Sequence, residues 1–529
     1  MSSNIPVYQQ LSADKKLQQS SNIPKDWLIP PTQHENLTNL MGISLTLTRG
    51  LLNDVEYSIT SDYDATALLE KLKAGFWSAE QANCLTEIFF NEAILRARHL
   101  DNERKENPQK PLPPLWGLPI SLKDCFDIAG FDTSTGLGCY INDPAKENCP
   151  LAVLLLHLGA VLYCKTNLPQ SIMTADSDNN IFGRTLNPWN TRLTAGGSTG
   201  GEGALLALRG SIMGVGTDIA GSIRIPALCN AIYGFRTSVG LIPYSGVRDL
   251  TTTATDGIRC VAGPMTTSIR DCSLFVKAVM EAETWRYDSD VVSVPWRNLE
   301  VKKKLRIGVV ENDGLFTPTP PVRRGLTKAT DLLKGREDIE VIPLTLPDMT
   351  QIYKDIFSYA TLLGPDCYLS KFAQTGEPVI PSLANMGLLT LQGTDLKGFF
   401  ALNARRAQAA QTYHHFFLSN KLDAIMMPPA PHTAVPLDTW ASASYTGLWN
   451  YLDYPATVIP VDTVRESDIV DDVSHAQFGA EDEKFYAFYT GPEEYKDAPV
   501  AVQLVGYKQA DEALLNVAVM VDSIVNGTN

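Results

Sequence analysis

Short continuous apolar runs and longer helix-spaced stretches alternate along the chain. Residues 1–60 are polar and interrupted by prolines, which predicts a strap laid over the body of the protein. Apolar residues recur at helical spacing over residues 65–77 and 79–100, which predicts two packing helices. We therefore expect residues 1–105 to be a strap and helices packed on the core, and residues 106–529 to form a single large domain.

Beyond the N-terminal part, short apolar runs bounded by turn residues predict buried strands. These runs cover residues 118–123, 304–312, 338–344, 423–431 and 498–507, and a further strand follows an apolar helix within residues 151–169. Helices are predicted over most of residues 350–420 and at residues 510–525, whereas the acidic stretch at residues 466–483 is expected to be a solvated loop. His157 lies inside an apolar run and is expected in the core. Strands that alternate with helices predict an α/β fold, with a large mixed, mostly buried β-sheet covered by helices on both faces.

The composition narrows the choice of partners and compartment. The net charge is −15 and the isoelectric point is near 5.0, so no basic surface attracts nucleic acid or an anionic membrane. The nine cysteines form no CxxC pair, which favours reduced thiols over a disulfide frame or a zinc site. No apolar run reaches the roughly 18 residues of a membrane span, and the N-terminal residues lack the apolar core of a signal peptide. We therefore expect a cytoplasmic protein with no metal and no cofactor.

Glycines cluster around two serines between residues 195 and 226. Five glycines surround Ser198 in AGGSTGGEGA, and Ser222 follows in GTDIAGSIR. Glycine adopts backbone angles that other residues avoid, and it lets a substrate approach the main chain closely. On glycine content alone, two unrelated turns in a surface loop explain the segment equally well. The choice depends on a third segment upstream, LPISLKDCFDIAG, in which a short apolar strand ends on Lys123.

Lys123, Ser198 and Ser222 occur in the order and the local sequence of a known family. Together with NLPQ at residues 167–170 and FGRTLNPWN at residues 182–190, their segments resemble the amidase signature family of serine hydrolases. Within that family, the chain is most similar to the fungal acetamidase, general amidase and urethanase group. The resemblance implies the same α/β fold that the alternation of strands and helices predicts.

The resemblance also implies an internal division of the larger domain. It is dense over residues 112–265, which would form the signature core of the catalytic domain. A variable lobe on the substrate side is expected at about residues 345–480, where the resemblance is weak.

The same resemblance implies a role for each residue of the three segments. Ser222 matches the nucleophile, Lys123 matches the base, and Ser198 matches the serine that bridges them. In the family this bridging serine follows a non-proline cis peptide bond, so the bond between Gly197 and Ser198 is expected to be cis. The matching N–H groups of the oxyanion hole are those of Ile219, Ala220, Gly221 and Ser222.

Three further residues match groups that brace the nucleophile loop. Asp218 and Arg224 correspond to a buried ion pair. Thr199 stands where many members have a second serine, so the hydroxyl is kept. Ala220 stands where many members have glycine; it keeps the N–H group but excludes a glycine-only backbone angle.

The chemistry of these residue types agrees with the implied roles. A serine hydroxyl is a poor nucleophile without an adjacent base, and a lysine is such a base only where burial lowers its pKa towards neutrality. We therefore predict hydrolysis of C–N bonds in small amides such as acetamide, and in carbamates such as ethyl carbamate, through an acyl-enzyme on Ser222. Ammonia or an amine would be released. Part of the substrate pocket is expected at Ile172, Met173 and Thr174, and a homodimer is compatible with the sequence.

Two other enzyme functions stay open. The G-x-S-x-G pattern at residues 196–200 is formally the nucleophile elbow of an α/β-hydrolase-type esterase, with Ser198 as the nucleophile and a later histidine as the base. The candidate histidines are His414, His415, His432 and His475. A glutamine-dependent amidotransferase subunit shares the implied fold and passes ammonia to partner chains. A phosphate-binding loop is excluded, because Glu202 follows Gly201 where that loop needs lysine.

Overall fold

An eleven-stranded sheet forms the centre of the computed structural model, which describes residues 5–23, 37–41, 61–71, 84–248, 257–300, 302–440 and 442–527. The strands are β1 (Leu85–Ile88), β2 (Pro119–Lys123), β3 (Val161–Thr166), β4 (Met213–Asp218), β5 (Tyr233–Arg236), β6 (Val261–Thr266), β7 (Leu305–Val310), β8 (Ile339–Leu344), β9 (Ala424–Met427), β10 (Ala456–Thr463) and β11 (Pro499–Val505). Their order across the sheet is β1-β3-β2-β4-β6-β5-β10-β11-β9-β7-β8.

Parallel and antiparallel neighbours both occur in the sheet, so the predicted mixed α/β fold is confirmed. Strand β2 pairs in parallel with β3 and β4, whereas β4 pairs antiparallel with β6. All six residues of β4 are buried, which indicates that both faces of the sheet are covered at its centre.

Helices pack against this sheet along the whole described chain. They are α1 (Val7–Asn22), α2 (Ala65–Lys71), α3 (Phe90–Glu106), α4 (Pro150–His157), α5 (Gly200–Ala207), α6 (Arg224–Asn230), α7 (Ile269–Glu281), α8 (Pro320–Lys334), α9 (Thr350–Ala360), α10 (Asp366–Thr375), α11 (Pro381–Asn385), α12 (Leu396–Ser419), α13 (Ser444–Leu452), α14 (Ala480–Tyr486) and α15 (Asp511–Asn526). Among the described residues, no helix is both long and apolar enough to cross a bilayer.

The second predicted N-terminal helix, over residues 79–100, is wrong in its first half. Residues Leu85–Ile88 form the edge strand β1, and the helix begins only at Phe90. The strand pairs antiparallel with β3, with Ile88 opposite Cys164. Pairing with a neighbouring strand and burial on it outweigh helical spacing in so short a segment. The first predicted helix is present as α2, and residues 72–77 of that prediction lie outside the described residues.

A helix, α1, occupies part of the N-terminal region that was predicted only as a strap. The buried ammonium of Lys15 lies 2.5 Å from Glu87 Oε1 and 2.7 Å from Asp132 Oδ2. Its neighbour Gln19 donates a hydrogen bond to the carbonyl of Leu85 at 2.8 Å. These polar contacts hold α1 against β1 although few apolar residues of the helix are buried.

Two smaller expectations are corrected by the structure. His157 is exposed rather than in the core, because it lies at the last turn of α4, where Nδ1 meets the hydroxyl of Tyr287 at 3.0 Å. The acidic stretch at residues 466–483 is not entirely loop, since α14 begins within it. Asp482, in that helix, is buried and accepts hydrogen bonds from the N–H and the hydroxyl of Thr317 at 2.7 and 2.6 Å.

Candidate active site

The ends of two adjacent parallel strands bring the predicted catalytic segments together. Strand β2 ends at Lys123 and its parallel neighbour β4 ends at Asp218, so the chain leaves both strands at the same edge of the sheet. The turn that carries Ser222 follows β4 directly. The loop that carries Ser198 leads into α5, which packs on both strands. This edge, beyond the carboxyl ends of parallel strands, is where open α/β sheets usually bind ligands.

Lys123 is buried at this edge with two hydroxyl groups as its polar contacts. Its Nζ atom lies 2.7 Å from Ser198 Oγ and 2.8 Å from Thr217 Oγ1. Lys123 and Ser198 have no exposed surface. The Gly197–Ser198 peptide bond is cis, which confirms the expectation from the sequence. Thr217 was missed by the sequence analysis, because its contact with Lys123 joins two strands and no local pattern marks it.

Burial is the strongest influence on the pKa of this lysine. It lowers the pKa of Lys123 below the usual 10.5, against the raising effect of Cys125, Cys260, Asp218 and Glu202. The carboxylate of Asp218 is itself paired with Arg224. Burial also raises the pKa of Glu202 to about 8, which favours a neutral acid near Lys123 at neutral pH. The surroundings of Lys123 therefore favour the uncharged amine.

Asp218 shapes the turn around Ser222. Its Oδ1 accepts the N–H of Gly221 at 2.8 Å, and its Oδ2 accepts the N–H of Ile223 at 3.2 Å. Gly221 has a φ of +130°, a backbone angle that favours glycine. Ala220 is not among the residues with positive φ, so the alanine at that position is compatible with the turn. Ser222 is half-buried at its tip.

The N–H groups predicted for the oxyanion hole are not equivalent. Within the described part of the chain, those of Ile219, Ala220 and Ser222 meet no hydrogen-bond acceptor. The N–H of Gly221, the fourth predicted donor, is donated to Asp218 Oδ1 at 2.8 Å. Three donors at the turn remain free to receive an anionic oxygen.

Asp218 and Arg224 form the buried ion pair that the resemblance implies. Arg224 Nε lies 3.1 Å from Asp218 Oδ2, and Arg224 Nη2 lies 3.1 Å from Oδ1. Asn450 accepts from Arg224 at 2.6 Å and donates to Asp218 Oδ1 at 2.9 Å. Thr199, the third predicted bracing residue, donates its hydroxyl to the carbonyl of Thr217 at 3.4 Å and so joins the serine loop to β4.

The acidity of Asp218 follows from this pairing. Burial raises the pKa of the carboxyl, but Arg224 and Asn450 outweigh it and lower the pKa to about 2. The unfolded chain therefore binds a proton more readily than the native state does. The contribution of the pair to stability is present above the ordinary pKa of 3.8 and is lost as the pH falls to about 2.

We expect Arg224→Ala to lower the free energy of unfolding by about 3–5 kcal/mol, because the Asp218 carboxylate would stay buried without its counter-charge. Denaturant unfolding at pH 7 measures this loss. Arg336→Ala removes an exposed guanidinium that lies 3.0 Å from Asp338, and it is the control that should leave the midpoint unchanged. A midpoint for Arg224→Ala equal to that of the wild type would contradict the bracing role.

A cavity of about 90 Å³ opens beside Ser222. It is lined by the three residues predicted for the substrate pocket, Ile172, Met173 and Thr174. Gly197 lines it as well. The rest of the wall includes residues from the region predicted as a variable lobe, which could not be assigned from the sequence: Tyr353, Ile356, Phe357, Tyr359, Ala360, Met386, Leu388 and Ala443. All lining residues in the described part of the chain are uncharged.

The described residues make no hydrogen bond between Ser198 and Ser222, although both serines belong to loops at this cavity. None of the four candidate histidines lines the cavity. His432 is buried against Trp440 with ring centres 4.5 Å apart, and burial lowers its pKa to about 4. In the described ranges, no group of three or more His, Cys, Asp and Glu side chains is arranged to hold a metal ion. The base within reach of Ser198 is therefore Lys123.

Comparisons with known proteins find relatives over nearly the whole chain. The family described as Amidase matches residues 67–515. An amidase of Gibberella moniliformis is 34% identical over 534 residues, which cover 96% of this chain and 97% of the relative. An acetamidase of Emericella nidulans is 32% identical over 543 residues, which cover 97% of each chain. The structure of a fatty acid amide hydrolase is similar with a TM-score of 0.89 and 29% identity, over 98% of this chain and 96% of that chain.

Proposed function

This chain belongs to the amidase family and is an amidohydrolase, and from that premise we propose that it cleaves the C–N bond of small uncharged amides through an acyl-enzyme on Ser222. One observation carries the proposal. The buried amine of Lys123 lies 2.7 Å from the hydroxyl of Ser198, beside the cavity that Ser222 lines. An amine whose partners are hydroxyls rather than carboxylates is suited to accept a proton from one of them.

Acylation begins when Ser222 Oγ attacks the carbonyl carbon of the amide. The proton of Ser222 passes to Ser198 Oγ while the proton of Ser198 passes to Lys123 Nζ, so a C–O bond forms and negative charge develops on the carbonyl oxygen. The lysine then returns its proton to Ser198, which passes its own proton to the amide nitrogen. The C–N bond breaks, ammonia or an amine leaves, and the acyl group stays on Ser222 as an ester.

Deacylation repeats these steps with water as the nucleophile. Lys123 accepts the proton of the water through Ser198, and it returns a proton to Ser222 as the acid leaves. The relay requires a hydrogen bond between the two serines in the substrate complex, where catalytic contacts tighten relative to the free enzyme. The N–H groups of Ile219, Ala220 and Ser222 would stabilise the anionic oxygen in both steps, each by about 3 kcal/mol.

The cavity favours acyl groups that are apolar and larger than acetyl. Eighteen residues line the cavity, more than the two-carbon acyl group of acetamide can contact. Tyr353, Phe357 and Tyr359 supply an aromatic wall on which an aliphatic chain can pack. We therefore propose aliphatic amides longer than acetamide as the better substrates.

We expect kcat/KM for ammonia release to be about fifteenfold higher for butyramide than for acetamide, because each buried methylene contributes about 0.8 kcal/mol. Steady-state rates over the series from acetamide to hexanamide measure the trend. Ala360→Leu adds bulk to the cavity wall and is the matched variant. In this variant kcat/KM should rise less with chain length. A kcat/KM that falls with chain length in the wild type would contradict this substrate class.

Glutamine and ethyl carbamate, measured beside the same amide series, test the amidotransferase alternative and the predicted carbamate activity. Glutamine carries charged ammonium and carboxylate groups, which the uncharged wall cannot pair, so we expect it to be a poor substrate. Hydrolysis of glutamine in preference to aliphatic amides would instead favour an amidotransferase subunit. Ethyl carbamate presents its carbonyl to the same serine and tests the predicted carbamate activity.

A further inference from the structure

Ser177, outside the three predicted catalytic segments, holds the loop that carries Ser198. Its hydroxyl donates to the carbonyl of Gly196 at 2.9 Å and accepts the N–H of Gly200 at 2.9 Å. These two glycines flank Ser198 in sequence, so one side chain spans the loop. Ser177 has no exposed surface, and a buried hydroxyl that uses both its donor and its acceptor strongly restricts the groups it joins.

The main chain beside Ser177 also packs directly on the loop. A Cβ atom added at Gly197 would lie only 2.6 Å from the carbonyl oxygen of Thr174 and 2.7 Å from the amide nitrogen of Asp176. A side chain at position 197 would therefore push the two segments apart. The close approach requires glycine at this position.

This supporting segment is itself fixed to the surrounding structure. Thr194 donates its hydroxyl to Asp176 Oδ1 at 2.9 Å and accepts the N–H of Gly196 at 2.9 Å. Asp176 is buried and forms an ion pair with Arg184. The anchor of the loop therefore does not depend on Ser198 or on Lys123.

We propose that Ser177 is a positioning residue for Ser198, which fixes the loop so that Ser198 Oγ stays within reach of Lys123 Nζ. The inference rests on the proposed function, since it gives Ser198 its place in the proton relay. Thr174, three residues before Ser177, lines the substrate cavity. One short segment thus joins the wall that contacts the acyl group to the loop that carries the relay serine.

The test is Ser177→Ala, with Michaelis parameters for butyramide and thermal unfolding as the readouts. We expect kcat to fall about tenfold to a hundredfold, because small displacements of a catalytic group cost this much, and KM to stay within about twofold of the wild type. Ser238→Ala is the matched control. Ser238 is equally buried, donates to Asp511 Oδ2 at 2.7 Å and accepts the N–H of Gln509 at 3.1 Å. Ser238→Ala should lose about as much stability as Ser177→Ala and keep the kcat of the wild type.

A kcat for Ser177→Ala equal to that of Ser238→Ala would overturn the proposal, as would a raised KM at unchanged kcat. Where Ser177→Ala does not fold, Ser177→Cys gives the same comparison, since a thiol keeps the size of the side chain and weakens both hydrogen bonds. The positioning role and the proposed function would be overturned by different results. An active Ser222→Ala enzyme would overturn that function, whereas an unaffected Ser177→Ala enzyme would overturn only the positioning role.

Discussion

Ser222→Ala is expected to lower kcat/KM for butyramide by at least about ten-thousandfold, because removal of the nucleophile leaves only binding and oxyanion stabilisation. Ser222 lies half-buried at the tip of its turn, and its hydroxyl makes no hydrogen bond to another described side chain. Its loss should therefore leave the folded structure and the denaturation midpoint unchanged. Initial rates of ammonia release at saturating and limiting substrate measure the effect.

Ser222→Ala, measured beside Ser198→Ala, distinguishes the proposed relay from an esterase elbow. In the relay, Ser198 transfers protons to Lys123 and Ser222 attacks, so both serine variants lose activity. If Ser198 were instead the nucleophile of an esterase elbow, Ser222→Ala would keep its activity and Ser198→Ala would lose it. Ester hydrolysis by Ser222→Ala at the wild-type rate would contradict the relay.

Lys123→Ala is expected to lower kcat about a hundredfold to ten-thousandfold, the usual contribution of a general base. Wild-type activity should rise with pH as the lysine loses its proton, at a pH below its usual pKa of 10.5, because burial lowers that pKa. The remaining activity of the variant should lack this rise. The pH–rate profiles of the two proteins, measured with butyramide, give the comparison. Profiles of the same shape would show that another group is the base.

The lowered pKa of Lys123 also predicts how the stability of the protein depends on pH. Because the pKa of Lys123 is lowered in the native state, the unfolded chain binds a proton at neutral pH that the native state disfavours. Lys123 therefore costs stability below its unfolded pKa near 10.5, and the cost fades as the pH rises to that value. Lys123→Met should unfold at a higher temperature than the wild type at pH 7, and the difference should shrink towards pH 10.

Lys165 is the matched control for that stability effect. It is equally buried, but it lies 2.7 Å from Asp124 Oδ1 in an ion pair. Lys165→Met would leave the aspartate buried without its partner and should lower stability by about 3–5 kcal/mol. Opposite signs for the two lysine variants would distinguish a neutral buried amine from a paired ammonium. A loss of stability in both would contradict the neutral state of Lys123.

The sequence was sufficient for the parts of the site that are close along the chain. The end of an apolar strand placed Lys123, whereas Ser198 and Ser222 were identified by the resemblance to the amidase signature family, since their glycine pattern alone fits two unrelated turns equally well. The ion pair of Asp218 and Arg224 was implied by the same resemblance, and the two residues lie six positions apart across one turn. The structure adds that Gly221 donates its N–H to this aspartate, which no composition rule could indicate.

Contacts between distant segments could not be predicted from the sequence. Thr217 reaches Lys123 from a neighbouring strand, and Tyr353 and Phe357 reach the cavity from α9. Each depends on how strands and helices pack, which local periodicity does not determine. The edge strand at Leu85–Ile88 was predicted as helix for the same reason, because its pairing partner β3 lies far along the chain.

The site of covalent attachment tests the central claim most directly. A butyl fluorophosphonate reacts with an activated serine and displaces fluoride, so the phosphorus stays on the oxygen that attacked. Peptide mapping by mass spectrometry after labelling then identifies the modified serine. We predict one adduct, on Ser222 in the wild type, slow labelling in Lys123→Ala and none in Ser222→Ala. An adduct on Ser198, or labelling that persists without Ser222, would contradict the role of Ser222 as the nucleophile.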